Sequence, residues 1–284
     1  MNKSFKSSSN PTNDVIDDLI VCVKTTQTVA ALRPLLPRLS PKSSIMFLQN
    51  GAGMIEDVNA HLFPNTASRP NYITGVISHG VTLNNPFNIT HTGAAATSIG
   101  LVPRHNAPRV DDSSSDLPSV SSYLLRALPL VPRLNCKSYG WPDILMLQLE
   151  KLAVNAVSNP LCALSDTVTN YVFSIPDICR ALISEISSVA LALPELRDVP
   201  GVAKRFSPDA LGSTVMTILD QNRETTCSMV WDMRAGRETE IRYINGYWSR
   251  RGRELGVPTP INDDLVAKIE ARTAEVRKLM HSDA

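Results

Sequence analysis

Residues 18–53 read DLIVCVKTTQTVAALRPLLPRLSPKSSIMFLQNGAG, and the order of their segments predicts the class of fold. DLIVCVK and SSIMFLQ are continuous apolar runs, which is typical of strands buried on both faces of a parallel sheet. The segment between them has helical spacing, with Thr25 or Thr26 as a cap and Pro37 near its end. A strand, a helix and a second strand in this order predict a parallel sheet with a crossover helix.

The segments that follow first add to this α/β region and then change to a helical pattern. MIEDVNAHLF, residues 54–63, predicts a short helix. Three β-rich pieces are separated by turns and predict antiparallel or mixed additions to the sheet, at residues 71–83, 87–93 and 95–100. From about residue 120 the pattern is almost entirely helical, with predicted helices at 120–131, 141–173, 176–193, 208–235, 239–255 and 262–280.

The chain therefore divides into four parts. Residues 1–16 are polar and predict a flexible N-terminus, and residues 17–102 form the α/β part. Residues 103–119 contain three prolines and many polar side chains, so we expect an exposed loop. Residues 120–284 form the helical part.

Composition restricts the classes of partner. Hydrophobic residues make up 43% of the 284 residues and charged residues 19%, which is typical of a globular protein. The formal net charge is +1, so no long-range field favours nucleic acid, and no apolar run reaches the 18 residues of a membrane span. We therefore expect neither nucleic acid nor a membrane as a partner.

The N-terminus and the cysteines bear on the compartment. The first residues, MNKSFKSSSNPTND, lack the apolar core of a secretory signal. The cysteines are scattered and mostly lie in apolar runs, so we interpret them as reduced core residues of an intracellular protein: Cys22, Cys136, Cys162, Cys179 and Cys227. A cytoplasmic location is expected, and a mitochondrial presequence is the alternative for the Ser-rich, basic start.

Polar residues end both strands of the opening segment. Lys24 ends the first strand, and Gln49, Asn50 and Gly51 end the second. Ligands of open parallel sheets bind beyond the carboxyl ends of the strands, so these residues face one predicted crevice. Gly51 and Gly53 are expected to let the backbone approach a ligand closely. The alternative is an ordinary turn with a solvated lysine.

A polar stripe interrupts an otherwise apolar helix in the segment KLAVNAVSNP, residues 151–160. Lys151, Asn155 and Asn159 are spaced four residues apart, so their side chains fall on one face of the helix. Pro160 follows directly and removes one backbone hydrogen bond. The stripe predicts either a lined pocket or a partly exposed helix face.

A second group of polar residues lies in CSMVWDMRAGRETEI, residues 227–241. Ser228 stands at an apolar helix, and Glu240 falls in the predicted first turn of the next helix, where a carboxylate suits the helix dipole. Glu240 is either a site residue or a helix-capping acid. Asp232 and Arg237 are interpreted as surface or salt-bridge residues.

A lysine, a carboxylate and amides that converge on the mouth of such a sheet would suit carbonyl reduction. The lysine can protonate a developing alkoxide, the acid can tune the pKa of the lysine, and the amides can hold an oxoacid. His79 and His91 are the other candidate acids, although histidines in strand–turn regions are more often structural. The sequence has no serine–histidine–aspartate order, no metal-ligand spacing and no P-loop, so no metal is expected.

At this point the sequence resembles the ketopantoate reductase family in its longer fungal form, over roughly residues 17–270. The matching pieces include DLIVCVKTTQT, LQNGAG, GVISHG and HTGAAATSIG, and QNG is weak evidence on its own. The specific ones are EKLAVNAVSNPL, residues 150–161, and CSMVWDMRAGRETEIRYINGYW, residues 227–248. The resemblance implies a Rossmann-type cofactor domain, only partial over residues 17–102, followed by a helical domain like that of 6-phosphogluconate dehydrogenase. It also implies NADPH-dependent reduction of 2-dehydropantoate to (R)-pantoate.

The resemblance also assigns roles to individual residues. Lys151 matches the catalytic lysine, and Glu240 matches the acid near that lysine and the nicotinamide end of the cofactor. The substrate-contacting residues match Asn155, Asn159 and Ser228. The residues of the cofactor cleft match Lys24, Asn50 and Gly51. A small-molecule 2-oxoacid is the implied partner, and a homodimer is a possible assembly.

One family feature is missing from the sequence. The glycine-rich turn G-x-G-x-x-G after the first strand has no counterpart, since the single G-x-G is Gly51 to Gly53 and Glu56 stands at its third position. We expect a shortened product or gene model whose activity is impaired. The alternatives are a non-catalytic binding or dimerisation protein, and a reductase of another branched 2-oxoacid.

Overall fold

A computed structural model describes residues 14–104 and 122–282 of the chain. Within these residues five strands form one mixed sheet in the order β1-β2-β3-β6-β7. Their bounds are β1 Asp18–Val21, β2 Ser44–Phe47, β3 Asn71–Ile77, β6 Thr97–Leu101 and β7 Cys136–Ser138. A separate hairpin consists of β4 Gly80–Asn85 and β5 Asn88–Gly93.

The parallel sheet predicted from residues 18–53 is confirmed. β1 pairs with β2, and β2 with β3, in parallel, with Asp18 opposite Ser44 and Ser44 opposite Asn71. β2 is central and all four of its residues are buried, which explains its continuous apolar run. β1 has a paired neighbour on one side within the described residues, and its Ile20 side chain is 39% exposed.

The β-rich pieces after residue 70 make the mixed additions that the sequence predicts. β6 runs antiparallel to β3, with Gly75 opposite Ile99. β4 and β5 pair only with each other and carry exposed apolar side chains, Val81, Leu83 and Ile89. The hairpin leaves the sheet at Ile77, the last residue of β3, and returns at Thr97.

The division into an α/β part and a helical part needs one correction. β7 lies within the part predicted to be helical and pairs in parallel with β6, with Cys136 opposite Thr97. Its three residues, Cys-Lys-Ser, are too few to show strand alternation, and tertiary pairing with β6 supplies the hydrogen bonds.

Most helices are shorter than their sequence patterns, whereas the last helix is longer than the predicted 262–280. α1 Thr28–Leu32 and α2 Met54–His61 flank the strands, and α3 Tyr123–Ala127 precedes β7. The remaining helices are α4 Asp143–Leu164, α5 Pro176–Ala192, α6 Val202–Arg205, α7 Pro208–Asp220, α8 Ser228–Arg234, α9 Asn245–Leu255 and α10 Pro260–Ser282. The predicted helix 141–173 therefore ends at Leu164, and the predicted helix 208–235 is interrupted between Asp220 and Ser228.

α4 is the central element of the helical part, and most of its residues are buried. It packs against α5, α7, α8 and α10. Pro160 lies inside α4 and has no N–H to donate to the carbonyl of Ala156. The buried Asn245 side chain donates to that carbonyl instead, at 3.0 Å, so the helix continues through the proline.

Two predicted segments extend beyond the residues that the structure describes. Residues 1–13 of the predicted flexible N-terminus and residues 105–119 of the predicted loop lie outside the described residues.

The cysteines are only partly core residues, because Cys162 and Cys179 are buried whereas Cys22 is exposed. Among the described helices, none combines the length and the hydropathy needed to cross a bilayer.

Candidate active site

A cleft of about 350 Å³ opens where the carboxyl ends of β2 and β3 meet α4, α7 and α8. This volume lies in the range of small-molecule sites, about 300–1,000 Å³. The cleft brings together most of the residues that the sequence singled out. Its lining includes Asn50, Lys151, Asn155, Asn159 and Ser228.

Lys151 lies where α4 meets the sheet. Its ammonium donates to Asn50 Oδ1 at 2.9 Å and to the carbonyl oxygen of Ile77, at the end of β3. Burial lowers the pKa of Lys151 to about 8, and the Glu240 carboxylate partly offsets this fall. A buried amine with a pKa near neutrality can both give up and regain a proton at physiological pH.

Asn155 and Asn159 continue the same face of α4, so the polar stripe lines a pocket. Asn159 is buried, and its Oδ1 accepts from Ser158 Oγ at 3.2 Å. Ser158 Oγ also donates to the Val154 carbonyl at 2.9 Å, so its single proton is shared between the two acceptors. Ser228, the first residue of α8, is exposed on the cleft wall. Their roles toward a substrate stay predictions.

Glu240 is buried at the junction of the two parts of the chain and does not cap its own helix. Its Oε1 accepts from the Thr25 backbone N–H and from Thr25 Oγ1, both at 3.0 Å. Glu240 therefore caps the 3₁₀ turn Thr25–Gln27 of the α/β part. This corrects the expected position of Glu240 in the first turn of the following helix.

β1 ends at Val21, so Lys24 does not end the strand as expected but follows it by three residues, and there it bridges two buried carboxylates. Its Nζ donates to Asp232 Oδ2 at 2.7 Å and to Glu240 Oε2 at 3.4 Å. Burial opposes the charge of Lys24, but Glu240 and Asp232 outweigh it and hold the pKa of Lys24 above its ordinary value. Arg237 donates to the other Asp232 oxygen at 3.0 Å. Asp232 is thus a buried salt-bridge residue, and the surface alternative for it is wrong.

The residues at the end of β2 have different partners. Gln49 turns toward the segment after β1 and donates to the carbonyl of Val23 at 2.5 Å. A Cβ on Gly51 would lie only 2.7 Å from the Tyr243 carbonyl oxygen, and one on Gly53 only 1.9 Å from Arg250 Nη2. The close approaches that these glycines allow are therefore made by other parts of the protein.

His79 lines the cleft, but its ring is engaged on both sides. Its Nδ1 accepts from the Ala95 N–H at 3.1 Å, which leaves Nε2 to donate to the Leu134 carbonyl at 2.9 Å. His91 Nε2 lies 3.0 Å from the same Nδ1. These contacts join the hairpin to the segment before β7 and favour the structural interpretation of both histidines.

The described residues can hold one end of a dinucleotide. Lys24 has three donors, two of them used by Asp232 and Glu240, and its side chain is 37% exposed, so one donor remains for a ligand at the strand ends. Lys24 and Asn50 therefore suit the nicotinamide end of a cofactor.

Sequence reasoning missed two groups of this site. The Ile77 carbonyl binds Lys151, and Thr25 supplies two donors to Glu240. A backbone carbonyl has no sequence signal. Thr25 directly follows Lys24, but its pattern indicated only a helix cap. The described residues contain no group of three or more histidine, cysteine, aspartate or glutamate side chains arranged to hold a metal.

Comparisons with known proteins point to one family. Residues 2–104 match the family model described as ketopantoate reductase PanE/ApbA, and residues 143–273 match that of its C-terminal domain. A probable 2-dehydropantoate 2-reductase of Schizosaccharomyces pombe is 29% identical over 272 residues, 94% of this chain and 77% of that protein. The 2-dehydropantoate 2-reductase of Yersinia pestis is 30% identical over 263 residues, 92% of this chain and 76% of that protein.

Solved structures show the same fold. A PanE/ApbA family ketopantoate reductase of Ralstonia eutropha aligns with a TM-score of 0.71 and 20% identity, over 93% of this chain and 78% of that one. D-mandelate dehydrogenase in complex with NADH and anilino(oxo)acetate aligns with a TM-score of 0.65 and 20% identity, with the same coverage of both chains. A dimeric ketopantoate reductase of Staphylococcus aureus has a TM-score of 0.67 and 22% identity, over 93% and 80%.

Proposed function

We propose that this chain, which belongs to the ketopantoate reductase family, reduces 2-dehydropantoate to (R)-pantoate with NADPH, a step toward pantothenate and coenzyme A. Family membership makes it an oxidoreductase with a nicotinamide cofactor, and the choice of NADPH and of this oxoacid is the proposal. The observation that supports the proposal best is the partly buried Lys151 ammonium, on the cleft wall beside Asn50 and Asn155.

Lys151 is the general acid of the proposed reaction. Reduction of the 2-oxo group places negative charge on its oxygen, and Lys151 transfers a proton to that oxygen to give the hydroxyl group. A pKa of about 8 keeps most of the lysine protonated at pH 7, and the same pKa makes it a stronger acid than an exposed lysine. The Asn50 and Ile77 contacts hold the ammonium at the sheet end of the cleft.

The polar stripe and Ser228 bind the oxoacid. The amide donors of Asn155 and Asn159 and the hydroxyl of Ser228 can hold a carboxylate or a hydroxyl group of the substrate. Glu240 favours the protonated form of Lys151 through its charge. Glu240 thereby acts on the chemistry from its buried position between Thr25 and Lys24.

Lys24, Asn50, Gly51 and Glu240 are the proposed residues of the cofactor cleft. When bound, the nicotinamide supplies a hydride to the 2-oxo carbon. The ammonium of Lys24 would donate to an oxygen of the nicotinamide half through its remaining N–H group. The Asp232 and Glu240 carboxylates hold that ammonium beyond the end of β1.

The compartment, the assembly and the classes of partner are also proposals. We propose a cytoplasmic protein that associates as a homodimer and has neither nucleic acid nor membrane as a partner. The net charge of +1 supports the absence of electrostatic attraction to nucleic acid. Analytical ultracentrifugation of the purified chain at several concentrations tests the dimer.

A steady-state assay with two cofactors and several oxoacids tests the proposed function. We expect oxidation of NADPH with 2-dehydropantoate at a kcat/KM that exceeds the value for NADH and the values for pyruvate and 2-oxoglutarate. Turnover of another 2-oxoacid in preference to 2-dehydropantoate would replace the proposed substrate. Cofactor oxidation with none of the acids would contradict the proposal.

A further inference from the structure

The polar stripe of α4 extends one position further than the three residues that line the cleft. Gln148 lies three residues before Lys151, so its side chain falls on the same face of the helix, at the end that packs against β3. Gln148 is half-buried and does not line the open cleft. A polar side chain at such a junction needs a hydrogen-bond partner.

That partner is the turn that follows β2. Gln148 Nε2 donates to the Gly51 carbonyl oxygen at 3.2 Å. The preceding residue of the same turn, Asn50, accepts from Lys151 Nζ at 2.9 Å through its side-chain oxygen. Two consecutive residues of the α/β part are therefore held by two neighbouring positions of one helix face.

The other side of this turn is held as well. The Ala52 N–H donates to the Tyr243 carbonyl at 2.8 Å, and Gly51 packs so closely that a Cβ would lie 2.7 Å from the same oxygen. On the α4 side the turn borders a cavity of only about 10 Å³, which Gln148 and Lys151 also line. A cavity of this size holds no more than about one water molecule, so little solvent could replace the Gln148 donor.

The position of Asn50 determines where the Lys151 ammonium points. An ammonium has three N–H groups, and two of those of Lys151 donate to Asn50 Oδ1 and to the Ile77 carbonyl. These two contacts leave one N–H group, whose direction the tetrahedral nitrogen then fixes. A shift of Asn50 would rotate the ammonium and move the proton that Lys151 transfers.

We infer that Gln148 is a positioning residue, which holds the Asn50–Gly51 turn against α4 and thereby directs the third N–H of Lys151 toward the oxoacid. The inference rests on the proposed function, because it takes Lys151 as the proton donor. In this role Gln148 acts through Asn50 and needs no contact with the substrate or the cofactor.

Gln148→Met tests this role, because methionine keeps the length of the side chain but cannot donate to Gly51. We expect kcat to fall about tenfold, since a misplacement of about 1 Å can slow a reaction by about a hundredfold. The KM for the oxoacid should stay the same, because an interaction that matters only in the transition state lowers kcat and kcat/KM together.

Tyr72→Phe is the matched control for the loss of one hydrogen bond. It removes the bond from Tyr72 Oη to Asn59 Oδ1, 2.8 Å long, which joins β3 to α2 in the same part of the chain. Tyr72 does not line the cleft. Its replacement should leave kcat at the wild-type value.

A double-mutant cycle with Asn50→Ala separates positioning from general support of the fold. If Gln148 acts through Asn50, Gln148→Met should have little further effect on kcat once Asn50 is replaced. An equal fall of kcat in both backgrounds would show that Gln148 only supports the fold, and the inference would be overturned. An unchanged kcat of the single variant Gln148→Met would overturn it as well.

A measurement without turnover keeps the inference separate from the proposed function. Acetylation with acetic anhydride at a series of pH values, quantified for the Lys151 peptide by mass spectrometry, reports the pKa of Lys151. A hydrogen bond to an ammonium favours its charged form, so Gln148→Met and Asn50→Ala should lower this pKa and Tyr72→Phe should not. The other titratable groups that line the cleft or act on Lys151 are the same in every variant: His79, Cys227 and Glu240.

The outcomes for the inference and for the proposed function are distinguishable. If Gln148→Met lowers the pKa of Lys151 but wild-type protein does not reduce 2-dehydropantoate, the proposed function alone fails. A pKa of Lys151 that is the same in wild-type protein and in Gln148→Met refutes the positioning role whatever the activity.

Discussion

Replacement of Lys151 by methionine should abolish turnover and yet make the protein more stable at neutral pH. Methionine keeps much of the side-chain volume but has no charge. Burial lowers the pKa of Lys151 from 10.5 to about 8, so at pH 7 the folded protein holds an ammonium that its surroundings disfavour. Each pH unit of that difference corresponds to about 1.4 kcal/mol, which gives an upper limit of about 3–4 kcal/mol for the gain in stability.

The pH dependence of this gain has a definite sign. The folded-state pKa is lowered, so below about pH 8 both states are protonated and the folded wild type bears the full cost. Between about 8 and 10.5 the folded state loses its proton first, and wild-type stability rises toward that of the variant. The advantage of the methionine variant should therefore shrink from about 3 kcal/mol at pH 7 to about 1 kcal/mol at pH 9.5.

Urea unfolding at pH 7 and pH 9.5 measures the two differences, and a cofactor-oxidation assay measures turnover. We expect kcat to fall by about 10²–10⁴, the usual contribution of one acid–base group. Lys151→Arg is the matched control that keeps a charge at this position but cannot act as an acid at neutral pH. A methionine variant that turns over normally, or that is destabilised at pH 7, would refute the reasoning.

Further predictions concern the surroundings of Lys151. Glu240→Gln keeps an acceptor for Thr25 but removes the charge that raises the pKa of Lys151, so the alkaline limb of the kcat–pH profile should move to lower pH. A limb that stays in place contradicts that coupling. Gly51→Ala should lower the unfolding free energy by about 1–3 kcal/mol more than Gly201→Ala, because both glycines have positive φ but only the Cβ at position 51 meets another atom; equal urea midpoints would show otherwise. Hydrogen exchange should be faster in β1 than in β3, since β1 is an edge of the described sheet.

Periodicity predicted the features that depend on one segment. The apolar runs of β1 and β2 indicated a parallel sheet because strands covered on both faces have no polar positions. The four-residue spacing of Lys151, Asn155 and Asn159 indicated a common face, and all three line the cleft. These features can be predicted without knowing which other elements pack against the segment.

Features that depend on contacts between two distant segments could not be predicted from the sequence. β7 forms because its three residues pair with β6, and α4 continues through Pro160 because Asn245 binds the exposed carbonyl. Asp232 was assigned to the surface or a salt bridge because charged side chains are rarely buried, and only the partners Lys24 and Arg237 explain its burial. Each case required the position of a second element that local pattern does not specify.

Transfer of deuterium tests the central claim most directly. The purified chain is incubated with 2-dehydropantoate and NADPH that carries deuterium at the reactive face of C4, and the product is analysed by mass spectrometry. The account predicts pantoate with one deuterium at C2, and at least a hundredfold less of it with Lys151→Ala. Pantoate without deuterium, or equal amounts of labelled product from the wild type and the variant, would contradict the account.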